Sequence, residues 1–166
     1  YRDNYEFAFP VLWYHRLPAS VFLISSRCNA HSDYLDSHQI QMMMDHGITF
    51  GAHTVRHLML PEIPERQAWQ EISESKEELE RLLAKPVNSF AYPAGRFNAI
   101  HEKMLAKAGF HCGLTVAPGG NKSDSNRLTL RRTEIASHDS LTDFKNKLLG
   151  GFDGFHKFVQ VKQGVY

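Results

Sequence analysis

Two histidines, His53 and His57, stand four residues apart in the stretch "FGAHTVRHLML", Phe50 to Leu60. If that segment makes one helical turn, both imidazoles project from the same side and can chelate a single divalent ion at about 2.0–2.1 Å. The bland alternative is that His53 caps a strand end and His57 is a solvated loop residue. Spacing alone does not separate the two readings, because ten histidines in 166 residues make a chance pair easy to come by. Placement adds weight to the first. The pair follows a strand-like run, "ITFGA", and in parallel α/β folds functional groups collect on the loops at the C-terminal ends of strands. The zinc-protease motif, which needs a Glu beside the first His, is not met, so any base must come from elsewhere. Cys28 and Cys112 are the only thiols. They lie far apart and in no metal-type spacing, which predicts buried free thiols, with a disulfide as the alternative.

The elements that must position these residues alternate between short strand-like and longer helix-like runs, the pattern of an α/β fold. "YEFAFPVLWYHRL" reads as a helix, with Asp3 or Asn4 as cap and a kink at Pro10. "ASVFLIS" reads as a buried strand. "DSHQIQMMMDHG" places Ile40, Met43 and Met44 at helical spacing and stops at Gly47. "ITFGA" is the next strand. Glu65 to Leu83 is an amphipathic helix, with Trp69, Ile72, Leu79, Leu82 and Leu83 on one side and its charges elsewhere, ended by Lys85-Pro86. "VNSFAY" is a strand broken by Pro93 and Gly95. "NAIHEKMLAKAGF" is a helix capped by Asn98 and terminated at Gly109, and "HCGLTV" is a strand. "APGGNKSDSN" is a surface loop, "RLTLRRTEI" strand or extended chain, "SLTDFKNKLL" a short helix, and the end from Gly150 is of undetermined form. Parallel strands with crossover helices follow from this rhythm, as an open sheet or as a barrel.

The bulk properties narrow the function classes. A chain of 166 residues suits one domain with a real core. Its 42% apolar and 22% charged content excludes disordered, collagen-like and coiled-coil classes. A formal charge of +1, with no stripe of Lys and Arg, gives no footprint for nucleic acid. No run is long and apolar enough to span a bilayer, and "YRDNYEFAF" lacks the regions of a signal peptide, so a soluble chain is expected. It begins at Tyr1 rather than Met, which suggests that something upstream was removed or omitted.

Taken together and in order, "GITFGAHTVRH", "HLMLPEI", "EISESKEELERLLAKPVNSFAYPAGRFN" and "MLAKAGFHCGLTV" make the chain resemble the polysaccharide deacetylases, the NodB-homology metal-dependent carbohydrate esterases. The resemblance runs from Tyr1 to about Ile135. It implies a distorted, incomplete (β/α) barrel and a single deacetylase-like domain over residues 1–166. The family's His-Ser/Thr-x-x-His motif maps its two metal ligands onto His53 and His57, with Thr54 at the position that braces the loop. The family's Arg-x-Pro-Phe/Tyr-Gly-like turn maps onto "AYPAG". There Ala91 replaces the Arg and Ala94 the aromatic residue, whose backbone N–H helps bind the oxyanion; the donor survives because it is a peptide N–H. Tyr92, Pro93 and Gly95 are then groove-lining, substrate-binding positions. Arg131 and Arg132 resemble an Arg-bearing strand that orients a catalytic Asp, with ordinary strand charges as the alternative. No clear Leu-x-x-His supplies the general acid, which leaves His138 and His156.

The resemblance also implies what is missing. Family members carry a Thr-Phe-Asp-Asp-Gly-like strand end, giving a general base and a third metal ligand, just before a segment like "YRDNYEFAFPVL". Asp3 falls in the following helix and is no substitute. The expected function is therefore metal-dependent removal of acetyl groups, N-acetyl first, from a polysaccharide or oligosaccharide, with zinc as the ion suited to His and carboxylate ligands. The partner is an acetylated glycan and the address secreted, periplasmic or cell envelope. The 166-residue chain, without its first strand, is expected to be inactive. The alternative class is a noncatalytic glycan-binding or scaffold relative, which the alanines at 91 and 94 favour.

Overall fold

Four short runs form one parallel sheet: β1 (Ala19–Leu23), β2 (Ile48–Ala52), β3 (Ser89–Ala91) and β4 (Cys112–Leu114), lying side by side in the order β1-β2-β3-β4. This is seen in a computed structural model that describes residues 1–150. The register is set by pairing Ala19 with Ile48 through Leu23 with Ala52, then Ala52 with Phe90, then Ser89 with Cys112 through Ala91 with Leu114. Leu130 adds one parallel bridge to Leu114. A doubly wound sheet reverses its strand order at a switch point, whereas a (β/α) barrel winds in one sense. Sequential order therefore resolves the choice that local pattern left open, and the sheet is the wall of a (β/α)-barrel fold.

The helices between the strands follow their caps. Helix α2 (Ser37–Asp45) opens with a capping box, the Asp36 carboxylate accepting the Gln39 N–H and the Gln39 side chain accepting the Asp36 N–H. It stops at Gly47, whose φ of +87° only glycine adopts freely. Helix α3 (Glu65–Leu83) has the bounds its pattern predicts, and Ala68, Ile72, Ser75, Leu79 and Leu83 form its buried stripe. Trp69 and Leu82 flank that stripe, half-buried. Asn98 caps α4 (Ala99–Lys107), and Ser140 caps α5 (Leu141–Leu148). The core lies between the sheet and α2, α3 and α4, built from Ile40, Met43, Phe50, Ile72, Leu79, Phe90 and Leu105. Each such side chain contributes about 1.5–3 kcal/mol on burial.

The N-terminal segment departs from expectation. Neither Asp3 nor Asn4 caps it: the Asp3 side chain makes no cap bond, and the Asn4 amide donates instead to Tyr1 O and Asp3 Oδ1. One π-turn (Asn4–Ala8) leads into α1 (Phe9–Tyr14), so Pro10 sits in the first turn of the α-helix rather than kinking its middle. The strand expected to Ser25 ends at Leu23, and Ser25–Arg27 is a 3₁₀ turn. Cys28 and Cys112 are both free and only half-buried. Among the described residues no helix is long and apolar enough to cross a membrane.

Candidate functional site

Every residue of β2 except Thr49 is buried, which fixes the strand and brings His53 out at its C-terminal end. The His53 N–H extends the ladder by one bond, to Leu23 O at 2.9 Å. Beyond it the chain does not make the helical turn that the spacing suggested. Thr54 and His57 instead take left-handed conformations, φ +66° and +65°. These two reversals, rather than helical periodicity, bring the rings together, with centroids 4.6 Å apart and planes at 72°. For a β-branched residue such as Thr54 the conformation costs on the order of 1–3 kcal/mol and persists only where neighbours enforce it.

The enforcing bonds come from two sides. From the turn after β1, Ser25 N–H donates to Thr54 O at 3.2 Å, and Ser26 donates to Val55 O from both its N–H (3.2 Å) and its hydroxyl (2.6 Å). From α3, the fully buried Glu71 carboxylate accepts the Arg56 N–H at 2.8 Å and the Arg56 Nε–H at 2.7 Å. Within the loop, the buried Thr54 hydroxyl accepts the His57 N–H at 2.8 Å. Glu78, also on α3, accepts from the Ser25 hydroxyl, tying the two supports to one helix.

The electrostatics of His53 suit a neutral nitrogen donor. Its Nδ1 lies 2.6 Å from Ala91 O, and since a carbonyl only accepts, Nδ1 carries the proton and Nε2 keeps its lone pair. Burial pushes the imidazole down to about 4, with the nearby His57 and Arg132 lowering it further and the Ala91 bond opposing them. His53 and His57 line a cavity of about 100 Å³ together with Tyr1, Phe22, Cys28 and Tyr34. Burial raises the Cys28 thiol to about 11, which marks it as an unreactive wall.

The carbonyl that holds His53 belongs to the last residue of β3, and the turn Pro93–Gly95 follows at once. Ala94 is exposed and left-handed (φ +49°), and while the turn bonds Gly95 N–H to Tyr92 O and Arg96 N–H to Pro93 O, the Ala94 N–H has no partner among the described residues. Its neighbours do not line a groove as expected. Tyr92 is fully buried, stacked on Phe97 at 4.6 Å and donating its hydroxyl to Leu128 O at 3.0 Å, so its side chain meets no solute. Pro93 and Gly95 are buried too. Gly95 has its own packing reason, since a Cβ there would lie 2.5 Å from Val116 Cγ2 and 2.7 Å from Val116 N.

The remaining sequence candidates divide. Arg132 comes to the site, its guanidinium 5.9 Å from the centre of the Phe22 ring. Arg131 turns away, donating from Nη1 to Pro118 O. His138 lines a separate groove with Glu134 and Lys147. His156 lies outside the described residues. The sequence reading missed Glu71 and Glu78, counted among the solvated charges of the helix. Glu71 stands three residues after Ala68 and four before Ser75, on the buried stripe, and that register is the signal that identifies it. As a metal site the donor set is partial: two imidazoles fit an ion, and among the described residues no group of three or more His, Cys, Asp or Glu side chains is placed to hold one.

Comparison with known proteins agrees with this geometry. The profile of the polysaccharide deacetylase family matches residues 1–113. A Bacillus subtilis (strain 168) protein named for that family, YxkH, is 31% identical over 136 residues, covering 82% of this chain and 48% of its own. The structure of the Streptococcus pyogenes deacetylase PplD in complex with acetate superposes with a TM-score of 0.82 at 26% identity, over 88% of this chain and 65% of that one. BC0361, a polysaccharide deacetylase from Bacillus cereus, gives 0.74 at 26% identity over 85% and 46%. The chain spans about half the length of the curated relative it matches. With the profile matched over more than half its length and a barrel-wall fold shared with these structures, the chain belongs to the polysaccharide deacetylase family.

Proposed function

We propose that this chain is the greater part of a metal-dependent deacetylase domain that removes acetyl groups, N-acetyl first, from a cell-envelope or secreted glycan. The observation that carries the reading is the meeting of the His53 and His57 rings at 4.6 Å, where the β2 end opens into a cavity. His53 and His57 would hold the ion, zinc by ligand type, and a carboxylate from a preceding strand outside these residues would complete the set. When bound, the ion supplies Lewis acidity toward the acetyl carbonyl and the attacking water.

The chain's own residues carry the rest. The Ala91 carbonyl keeps His53 in the tautomer that presents Nε2. The Ala94 N–H, on an exposed residue and outside the turn's bonding, would donate to an oxyanion. Arg132 supplies a fixed positive charge beside the cavity wall, suited to orienting a catalytic carboxylate. With two ligands among the described residues, the 166-residue chain is expected to bind zinc weakly and to hydrolyse nothing at an enzymatic rate.

Calorimetric titration with zinc tests the assignment. Measurable binding by the chain, lost in His53→Ala and in His57→Ala, is the expected result; uptake unchanged in both variants would refute the ligand assignment. The second reading, a noncatalytic glycan binder, draws on the methyl group of Ala94 at a position where an aromatic face would hold sugar rings. It predicts that a longer form of the protein, with the preceding segment, binds chitooligosaccharides and releases no acetate.

A further inference from the structure

We propose that Glu71 is a positioning residue that keeps His53 and His57 facing each other and thereby sets their affinity for a divalent ion; the inference rests on the metal-site reading above. Glu71 belongs to α3, outside the histidine loop and eighteen positions after His53 in the sequence. Its side chain is fully buried on the stripe between Ala68 and Ser75, where packing alone calls for an apolar residue. A carboxylate in that place needs a partner for each oxygen. Both oxygens are committed to one residue, Arg56: Oε2 to its peptide N–H and Oε1 to its Nε–H.

Arg56 immediately precedes His57: the bond to its peptide N–H holds the Val55–Arg56 peptide plane and the bond to its Nε–H holds its side chain, so the residue that leads into the left-handed His57 is fixed at both backbone and side chain. Among the described residues, the other bonds that reach the loop after His53 from outside it come from Ser25 and Ser26 and go to Thr54 and Val55, while Ala91 O holds the His53 ring itself. Glu71 is thus what ties the second half of the loop to the core, and α3 is a rigid base because Ile72, Ser75 and Leu79 are buried beside it. Charge-assisted bonds of this kind orient ligands from behind, and their loss typically weakens metal binding about 10–100-fold.

The test uses the 166-residue chain with Glu71→Gln, which keeps the size but one oxygen only, and Glu71→Asp, which keeps the charge but shortens the reach. Two readouts are followed: the NOE between the ring protons of His53 and His57 in the metal-free chain, and cobalt affinity from the visible absorption of the bound ion. Leu79→Ala on the same helix serves as a destabilised control. The expected result is loss of the ring–ring NOE and at least tenfold weaker cobalt binding in both Glu71 variants, with the control near wild type. A retained NOE in both variants would overturn the proposal, as would a control that shifts both readouts equally. If wild type and a His53→Ala/His57→Ala double variant take up cobalt alike, the metal-site reading fails, while the NOE comparison still decides whether Glu71 sets the geometry. Should Glu71→Gln not fold, Glu71→Asp and Arg56→Lys carry the same two readouts.

Discussion

His53 is the residue on which the proposed chemistry turns, and its surroundings make a pH prediction with a definite sign. Its folded value, about 4, lies below the ordinary 6.5, so in the metal-free chain the unfolded state binds more protons between those two values. Stability is therefore full above the ordinary value and is lost as pH falls through the window toward 4, by about 3 kcal/mol at most. Denaturant unfolding at pH 7 and pH 4.5 should show that loss, and His53→Ala should reduce the pH dependence, leaving the contribution of His101, which burial also holds below its ordinary value. An NMR titration of His53 with a midpoint at its ordinary value would contradict the burial argument. At this scale the sequence was partly legible. His53 and His57 could be found because ligand types at short spacing after a strand are a local pattern. The mode of their meeting could not, since two left-handed residues leave no periodic trace. Glu71 was overlooked because a carboxylate on an acidic helix is usually solvated; its register on the buried stripe was the one local mark, and its bond to Arg56, fifteen residues earlier, leaves none. Tyr92 was misplaced for the converse reason: a tyrosine beside a turn reads as a groove wall until the ring is seen to be part of the core.

Among the elements, α3 and the turn after β3 carry the sharpest expectations. Helix α3 ends on Ala84 in the left-handed conformation, φ +49°, a position that favours glycine. Ala84→Gly is expected to stabilise the chain by about 0.5–1 kcal/mol, the relief of side-chain strain exceeding the added chain entropy, and to raise Tm by a few degrees. Gly95→Ala should do the opposite. Its Cβ would press on Val116, including the backbone nitrogen 2.7 Å away, and a loss of about 2–3 kcal/mol in thermal or denaturant unfolding is expected. The helices were legible almost to the residue wherever a cap was written in the chain: Asp36 with Gln39, Asn98, and the stops at Gly47 and Gly109. Strand β2 was found to the residue, whereas β1, β3 and β4 were overextended, because buried parallel strands lack the alternation that marks their ends. The entry into α1 went astray because Asn4 bonds backward to Tyr1 and Asp3 instead of capping.

For the whole molecule, strand order was beyond the reach of local pattern, because which strands pair is decided by contacts between distant segments. The order found leaves β1 at one edge of the sheet among the described residues. If a preceding strand carrying the third ligand pairs there, a longer form of the protein should bind zinc at least a hundredfold more tightly than these 166 residues. Hydrogen exchange at the outer β1 amides should slow in parallel, and exchange rates unchanged between the two forms would remove the reason for placing a strand at that edge. Sequential winding also has a consequence for biosynthesis. Each strand docks on the one translated just before it, so the wall can grow vectorially as the polypeptide leaves the ribosome. His53 emerges well before the carbonyl that locks its tautomer, which arrives 38 residues later with Ala91. A nascent chain arrested between the two would present a histidine pair free to sample either tautomer, and any premature capture of ions would precede the geometry that selects among them.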